Sequence, residues 1–191
     1  MSAITPVASR SRSELEAGLD EVRLAPAEEG TLCSIARRPA IEEREMLEEA
    51  ELDLEVGMVG DIWAERPSSK TGAPNPAAQV TVMSARAAAL VADGDDHDAW
   101  AQAGDQLYVD LDLSKQNLPS GARLQIGEAV LEVTARPHLG CGKFARRFGV
   151  EALKFVNSSV GRAARLRGLN ARVLAPGIVR RGDEVRKLEP S

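Results

Sequence analysis

The sequence predicts a mainly β protein, a closed or partly closed β-barrel with a few appended α-helices. Three observations predict it. Short runs rich in Val, Leu and Ile recur between Gly, Pro and Asp breaks, the pattern of many short strands. The helical patterns are few and grouped, and no strand–helix series alternates along the chain, which argues against a parallel α/β sheet. The chain has 191 residues, 43% hydrophobic and 28% charged, enough apolar mass for one ordinary core. The expected organisation is an N-terminal extension over 1–29 and a main domain over 30–188.

In the extension, Leu15, Leu19 and Val22 recur at helical spacing, so a short helix follows a loose start. Thr31–Arg37 reads as the first strand and Pro39 ends it. The acidic stretch Glu42–Glu55 reads as a solvated segment, Gly57–Asp61 as a turn, and the Pro-rich stretch Arg66–Ala77 as a loop. Gln79–Met83 is a β-branched strand. Ser84 is placed to cap an Ala-rich helix ending at Ala92. The polar run Asp93–Asp98 reads as a loop with His97 exposed.

The clearest strand pattern follows. Leu107, Val109, Leu111 and Leu113 point one way, and Tyr108, Asp110 and Asp112 the other. Arg123–Ile126 and Ala129–Thr134 flank Gly127-Glu128, a two-residue loop with Gly first, as a type II′ hairpin requires. Val150–Val156 reads as a helix and Ala163–Arg167 as a helical turn. Asn170–Ala175 and Ile178–Lys187 supply the last strands, broken at Pro176-Gly177 and Gly182-Asp183.

The net charge of −5 conceals an asymmetry. Residues 1–135 hold 11 Lys/Arg against 25 Asp/Glu, whereas residues 136–191 hold 13 against 4. Such a basic block either neutralises the acidic part or meets an anion. Aromatic residues are only 3%, too few for the base-stacking platforms of single-strand binders, so nucleic acid is not an expected partner. The N-terminus has no signal-peptide core and no aliphatic run approaches a membrane span, so a cytoplasmic protein is expected. Two cysteines, Cys33 and Cys141, are too few for a disulfide framework.

Several familiar motifs fail. Gly140–Ala145 matches a G-x-G-x-x-A string, but no acidic residue lies near 160–168 to hold a ribose. A P-loop fails because Phe144 follows Gly142-Lys143. An EF-hand loop starting at Asp93 has Asp98 where Gly is required. No G-x-S-x-G elbow is present.

Chemistry concentrates in Arg136–Arg147. Cys33, sharing a strand face with Thr31 and Ile35, reads as a small buried inert thiol. Cys141 stands between Gly140 and Gly142 in what reads as a loop, with Lys143, Arg146 and Arg147 close by to favour the thiolate. The thiolate is the form that attacks electrophiles and binds soft metals. The same pattern also fits a loop thiol whose basic neighbours simply face water.

From about Thr31 to Lys187 the chain resembles the MOSC domain, named for the C-terminal domain of molybdenum cofactor sulfurase. The resemblance rests on Gly57-Met58-Val59-Gly60-Asp61, on Gln79–Val82, and on Leu118–Gly127. Leu131–Thr134 then leads to Cys141, and Ala171–Leu174, Gly177 and Gly182–Val185 resemble the closing strands. The chain departs from the family at Ile62-Trp63, where Arg and His are usual, at Asp110 in place of Asn, and at Gly140 in place of Pro.

The resemblance implies a barrel of the MOSC, or pyruvate-kinase-barrel-like, kind and a link to molybdenum cofactor (molybdopterin), a phosphorylated pterin with a dithiolene-bound metal. Cys141 would ligate the metal or carry sulfur. Pyridoxal phosphate is not expected, because the fused domain that binds it in the sulfurases finds no room here. Stand-alone bacterial relatives imply reduction of N-hydroxylated compounds with an external electron-donor protein; the alternative for the thiol is sulfur transfer with a sulfur-donor protein. For an anionic cofactor, Lys143, Arg146, Arg147 and Arg162 are candidate partners, with Asn157 and Asp61 weaker candidates. His138 is a candidate proton-transfer group or a solvated loop histidine. Arg165 and Arg167 bind likewise or only solvate their turn. Two other readings stand beside this one. The basic face could be a non-enzymatic binding module for a protein or anionic partner, or it could pack against the acidic region without any ligand.

Overall fold

The computed structural model describes residues 7–66 and 72–189. Two short helices, α1 (Arg12–Ala17) and α2 (Leu19–Arg23), open it. Ser11 begins α1 with a complete capping box to Glu14, and Leu15, Leu19 and Val22 are buried as their spacing predicts. The strands are β1 (Glu29–Arg37), β2 (Glu45–Leu47), β3 (Glu49–Asp53), β4 (Gly57–Met58), β5 (Val80–Ser84) and β6 (Leu107–Asp110). They continue with β7 (Arg123–Ile126), β8 (Ala129–Val133), β9 (Leu169–Ala175), β10 (Gly177–Arg180) and β11 (Glu184–Leu188). The remaining helices are α3 (Ala85–Ala92), α4 (His97–Ala101), α5 (Gly142–Phe148), α6 (Val150–Asn157) and α7 (Ser159–Ala163).

Seven strands close a barrel in the order β11-β7-β8-β9-β5-β6-β1, and β1 returns to β11 through the register Glu29↔Arg186 to Thr31↔Glu184. Every neighbouring pair is antiparallel except β5–β6. A parallel pair needs a long crossover, and α3 and α4 between those two strands provide it. Strand β2 extends the sheet beyond β1, and β10-β3-β4 form a small separate sheet. The fold class read from the sequence is therefore the one observed.

Two cores follow from the alternation of β5 and β6. Val80, Val82, Leu107 and Val109 enter the barrel interior. Met83 and Tyr108 point outward into a layer of helices with Leu15, Phe148 and Phe155. Ser84 caps α3 by accepting from the Ala87 N–H at 3.4 Å, as expected. In the β7–β8 hairpin only Gly127, at φ 52°, is left-handed, which suits a II′ turn and excludes I′.

The structure corrects five expectations. Glu42–Glu55 is not a solvated segment, because it contains β2 and β3, with Ala50 and Leu52 buried. Alternation along β1 breaks at a bulge between Leu32 and Ser34, so Leu32 and Ile35 share the barrel interior and Cys33 is half-buried outside it. His97 is not free in a loop. It begins α4 behind the Asp96 cap, and its ring lies 4.3 Å from Trp100. Helix α7 lies at Ser159–Ala163, earlier than the expected 163–167 turn. Finally, Gly142–Phe148 is a helix rather than a loop, driven by Phe144 and Phe148 stacking into the helical core (ring centroids 4.8 Å apart).

Candidate functional site: a thiol above an arginine-capped helix end

The site is built on the C-terminal end of α4. A helix leaves its last carbonyls without intrahelical partners and concentrates partial negative charge there. Here successive carbonyls each take a different guanidinium. Arg44 Nε donates to the Ala101 oxygen at 3.0 Å and Arg147 Nη1 to that of Gln102 at 2.7 Å. Arg167 Nη2 donates to the Ala103 oxygen at 2.7 Å and Arg38 Nη1 to that of Gly104 at 3.1 Å. Gly104 is required twice over. Its φ is 90°, and a Cβ there would approach Arg44 Nη2 to 3.3 Å and Arg147 Nη1 to 3.8 Å.

Carboxylates anchor these arginines from behind. Buried Asp61 grips Arg38 with both oxygens, at 2.8 and 2.9 Å, and also accepts from the Arg38 and Trp63 N–H groups. Asp105, fully buried, pairs with Arg167 Nη1 and with His138 Nε2, the latter at 2.7 Å. Burial pushes the Asp105 pKa up, yet Arg167 and His138 together bring it well below the usual carboxylate range. With Asp105 ionised, His138 Nε2 is the donor. Burial and the Arg167 charge hold His138 below its ordinary value despite Asp105, so the neutral ring predominates.

In front of the arginines lies a cavity of about 190 Å³, lined by Arg38, Arg44, Lys143, Arg147, Arg167 and Cys141, among others. Glu42 closes one side, bridging Lys143 at 3.0 Å and Arg147 at 3.2 Å. Cys141 is exposed and occupies the N-cap of α5. Partial burial opposes its ionisation, but the backbone N–H groups of Phe144 and Lys143, then the charges of Arg167 and Arg147, bring the thiol below its ordinary pKa. Cys33 is the opposite case, with a thiol pushed up by burial and by Asp110.

The predicted site residues therefore separate into four sets. Cys141, Lys143 and Arg147 meet at this cavity. Asp61 and Asn157 stand behind it. Asp61 positions Arg38, while Asn157 bonds both backbone groups of Gly140, accepting from its N–H at 2.9 Å and donating to its oxygen at 3.0 Å. That clamp sets the approach to Cys141. A Cβ on Gly140 would fall 2.8 Å from Leu153, which accounts for Gly rather than Pro before the cysteine. Arg146 is exposed and outside the cavity lining. His138 and Arg162 line a different, larger cavity of about 450 Å³.

Arg167 belongs to both cavities, and neither it nor Arg165 merely solvates a turn. Arg167 is 7% exposed and stacks 5.2 Å over Phe144, and Arg165 donates to the Leu118 oxygen at 2.6 Å. Sequence reading missed Arg38, Arg44 and Asp105 as site residues, and left Arg167 open between binding and solvating its turn. The local signal for Asp105 was a Gly-Asp pair, Gly104-Asp105, just before the clearest strand.

Among the described residues no group of three or more His, Cys, Asp or Glu side chains is gathered to hold a metal ion. No helix among them is long and apolar enough to cross a membrane. The donor set does fit a metal that arrives already chelated within an anionic cofactor. It offers one accessible thiol with a lowered pKa beside several guanidiniums, and Arg167 Nε is buried without a protein partner.

A closed seven-strand barrel with a helix-capping cysteine over a basic cavity defines the class. The MOSC domain model matches residues 69–186, and the chain belongs to that family. Among solved structures, the YuaD protein of Bacillus subtilis superposes with a TM-score of 0.55 at 17% identity, covering 84% of this chain and 97% of that one. YiiM from Escherichia coli gives 0.55 at 17% identity, covering 84% and 71%. YiiM from Geobacillus stearothermophilus gives 0.52 at 16%, covering 84% and 75%. These identities bear on the fold alone. No curated protein sequence gives a significant match.

Proposed function

We propose that this MOSC protein binds molybdenum cofactor at the Cys141 cavity, with the Cys141 thiolate as metal ligand or sulfur carrier. The observation that carries the reading is the coincidence of an accessible thiol with a lowered pKa and a wall of guanidiniums held in place by the carbonyls that follow the C-terminal end of α4. Fixed donors of this kind suit anionic oxygens through charge-assisted hydrogen bonds and need little reorganisation. Lys143, Arg147, Arg167 and Arg38 are the residues that would hold the phosphate or metal-oxo oxygens. The bound cofactor would supply redox or sulfur chemistry at its metal, with N-hydroxylated compounds as the substrate class and a separate protein as electron or sulfur donor. The chain's own part is narrower. Asn157 holds Gly140 and so aims the thiol, the first N–H groups of α5 favour its thiolate form, and the arginines exclude cations.

The test is to mix purified apoprotein with molybdenum cofactor, comparing the parent with Cys141→Ser, and to measure retained metal after desalting. Retention by the parent and loss in the variant supports ligation. Equal retention removes Cys141 as ligand, and no retention by either removes the cofactor.

A further inference from the structure

The larger cavity, about 450 Å³, shares Arg167 with the Cys141 cavity but is not lined by Cys141. Its volume is in the range of small-molecule sites, about 300–1,000 Å³. Five cations line it, Lys115, Arg136, Arg162, Arg165 and Arg167, together with neutral His138 and no carboxylate. Only Arg167 has an acidic partner, Asp105, reached from behind the wall. Among the described residues the other four make no ion pair. Arg136, Arg162 and Lys115 are exposed, and the Arg165 guanidinium bonds only the Leu113 and Leu118 carbonyls. The rest of the lining includes Leu139, Val156 and Leu169, an apolar floor beside the charges.

Arg165 adds an independent observation. It follows the C-cap of α7, and the Leu166 N–H returns to the Gly161 oxygen at 2.9 Å, the long bond of a Schellman motif. Its φ is 49°, the left-handed conformation for which glycine is the ordinary residue at this position. Arginine therefore occupies a strained position and keeps a partly buried charge without a counter-ion. Both are unfavourable in the free protein, and an anion in the cavity offsets the second.

We propose that this cavity is a separate binding site for a small organic anion, its carboxylate or phosphate ester on Arg162 and Arg165 and its apolar body on Leu139, Val156 and Leu169. The site does not depend on the cofactor reading, since Cys141 is absent from it. Its ligand is a small molecule rather than a polyanion, because the cations line one cavity and no Phe, Tyr or Trp lines it for base stacking.

The full chain, without cofactor, is titrated calorimetrically with phenyl phosphate, benzoate and, as the neutral control, benzyl alcohol. Phenyl phosphate or benzoate is expected to bind and benzyl alcohol not. Arg162→Ala, an exposed position that spares the fold, is expected to weaken binding about tenfold. Arg165→Gly relieves the left-handed strain and is expected to weaken binding at least as much. Cys141→Ser and Arg38→Ala are expected to leave it unchanged. No binding of either anion, equal binding of benzyl alcohol, indifference to both Arg162→Ala and Arg165→Gly, or loss in Cys141→Ser or Arg38→Ala would each overturn the proposal. Metal retention by the same proteins reports on the cofactor reading separately.

Discussion

Around the Cys141 cavity nearly every guanidinium is already answered. Arg38 has Asp61 and a carbonyl, Arg147 has Glu42 and a carbonyl, and Arg167 has Asp105 and a carbonyl. Around the larger cavity Arg136, Arg162 and Lys115 face solvent without an acid, and Arg165 has carbonyls only. Arginines with fixed partners on one side are rigid donors on the other, so they suit a site that must orient a reacting group. Arginines without counter-charge are a reservoir of positive potential, which suits capture of an anion. Counting basic residues does not distinguish the two cases. Tracing each one to its partner does.

The comparison is broken most severely at Asp105. Replacing it in Asp105→Asn leaves the buried Arg167 charge without its carboxylate, a change of the kind that costs about 3–5 kcal/mol. Urea or guanidinium midpoints of the variant and its parent check it. A loss below about 1 kcal/mol, the range of an exposed pair, would mean that Asp105 is not the anchor of both cavities.

This dependence also explains what could be read beforehand. The barrel was legible because period-two alternation and turn chemistry are local, as at Leu107–Leu113 and Gly127-Glu128. Cys141, Lys143 and Arg147 were legible because they lie within one short segment. The helix-end ladder was not. Arg38, Arg44, Arg147 and Arg167 come from distant parts of the chain, and only tertiary packing brings them to consecutive carbonyls at 101–104. Helix α5 was missed for a related reason. Glycines and a preceding Pro look like loop, and the Phe144–Phe148 contact that stabilises the helix depends on a core assembled from other elements. The acidic stretch at 42–55 hid its strands because only Ala50 and Leu52 mark their buried face.

The two cysteines carry opposite electrostatic settings. Alkylation rate against pH is expected to give Cys141 a midpoint below the ordinary thiol value of about 8.5 and Cys33 one above it. Single variants Cys33→Ser and Cys141→Ser isolate each profile. Coincident midpoints would remove the electrostatic distinction between the two sites.

His138 makes a smaller, pH-dependent contribution. Its pKa in the folded chain lies below that of the unfolded chain, so below about pH 6.5 the unfolded state binds the extra proton first. Stability is therefore complete above that pH and falls as the pH drops toward the folded value, with a slope of at most about 1.4 kcal/mol per unit. Denaturation midpoints between pH 7.5 and 5 should show that slope, and His138→Gln should flatten it. A rise in stability on acidification through the same window would reverse the sign of the coupling to Arg167.

The smallest effect is expected where the basic and acidic parts of the chain meet at the surface. Arg181 meets Glu48 at 3.3 Å, Arg172 meets Glu132 at 2.9 Å and Lys187 meets Glu28 at 3.0 Å. These pairs set basic residues of the C-terminal block against acidic residues from earlier in the chain. The exposure of Arg181 and Glu48, 48% and 83%, leaves their attraction to be screened by water and salt. Reversing either in Glu48→Arg or Arg181→Glu should cost little, and the double reversal should recover it with a coupling of about 0.2–1 kcal/mol that shrinks in high salt. A coupling of several kcal/mol would make surface charge pairing, rather than the two cavities, the principal use of the basic block. A coupling within the expected range leaves Arg136, Arg162 and Arg165, which make no such pairs, as the charges still to be accounted for by a ligand.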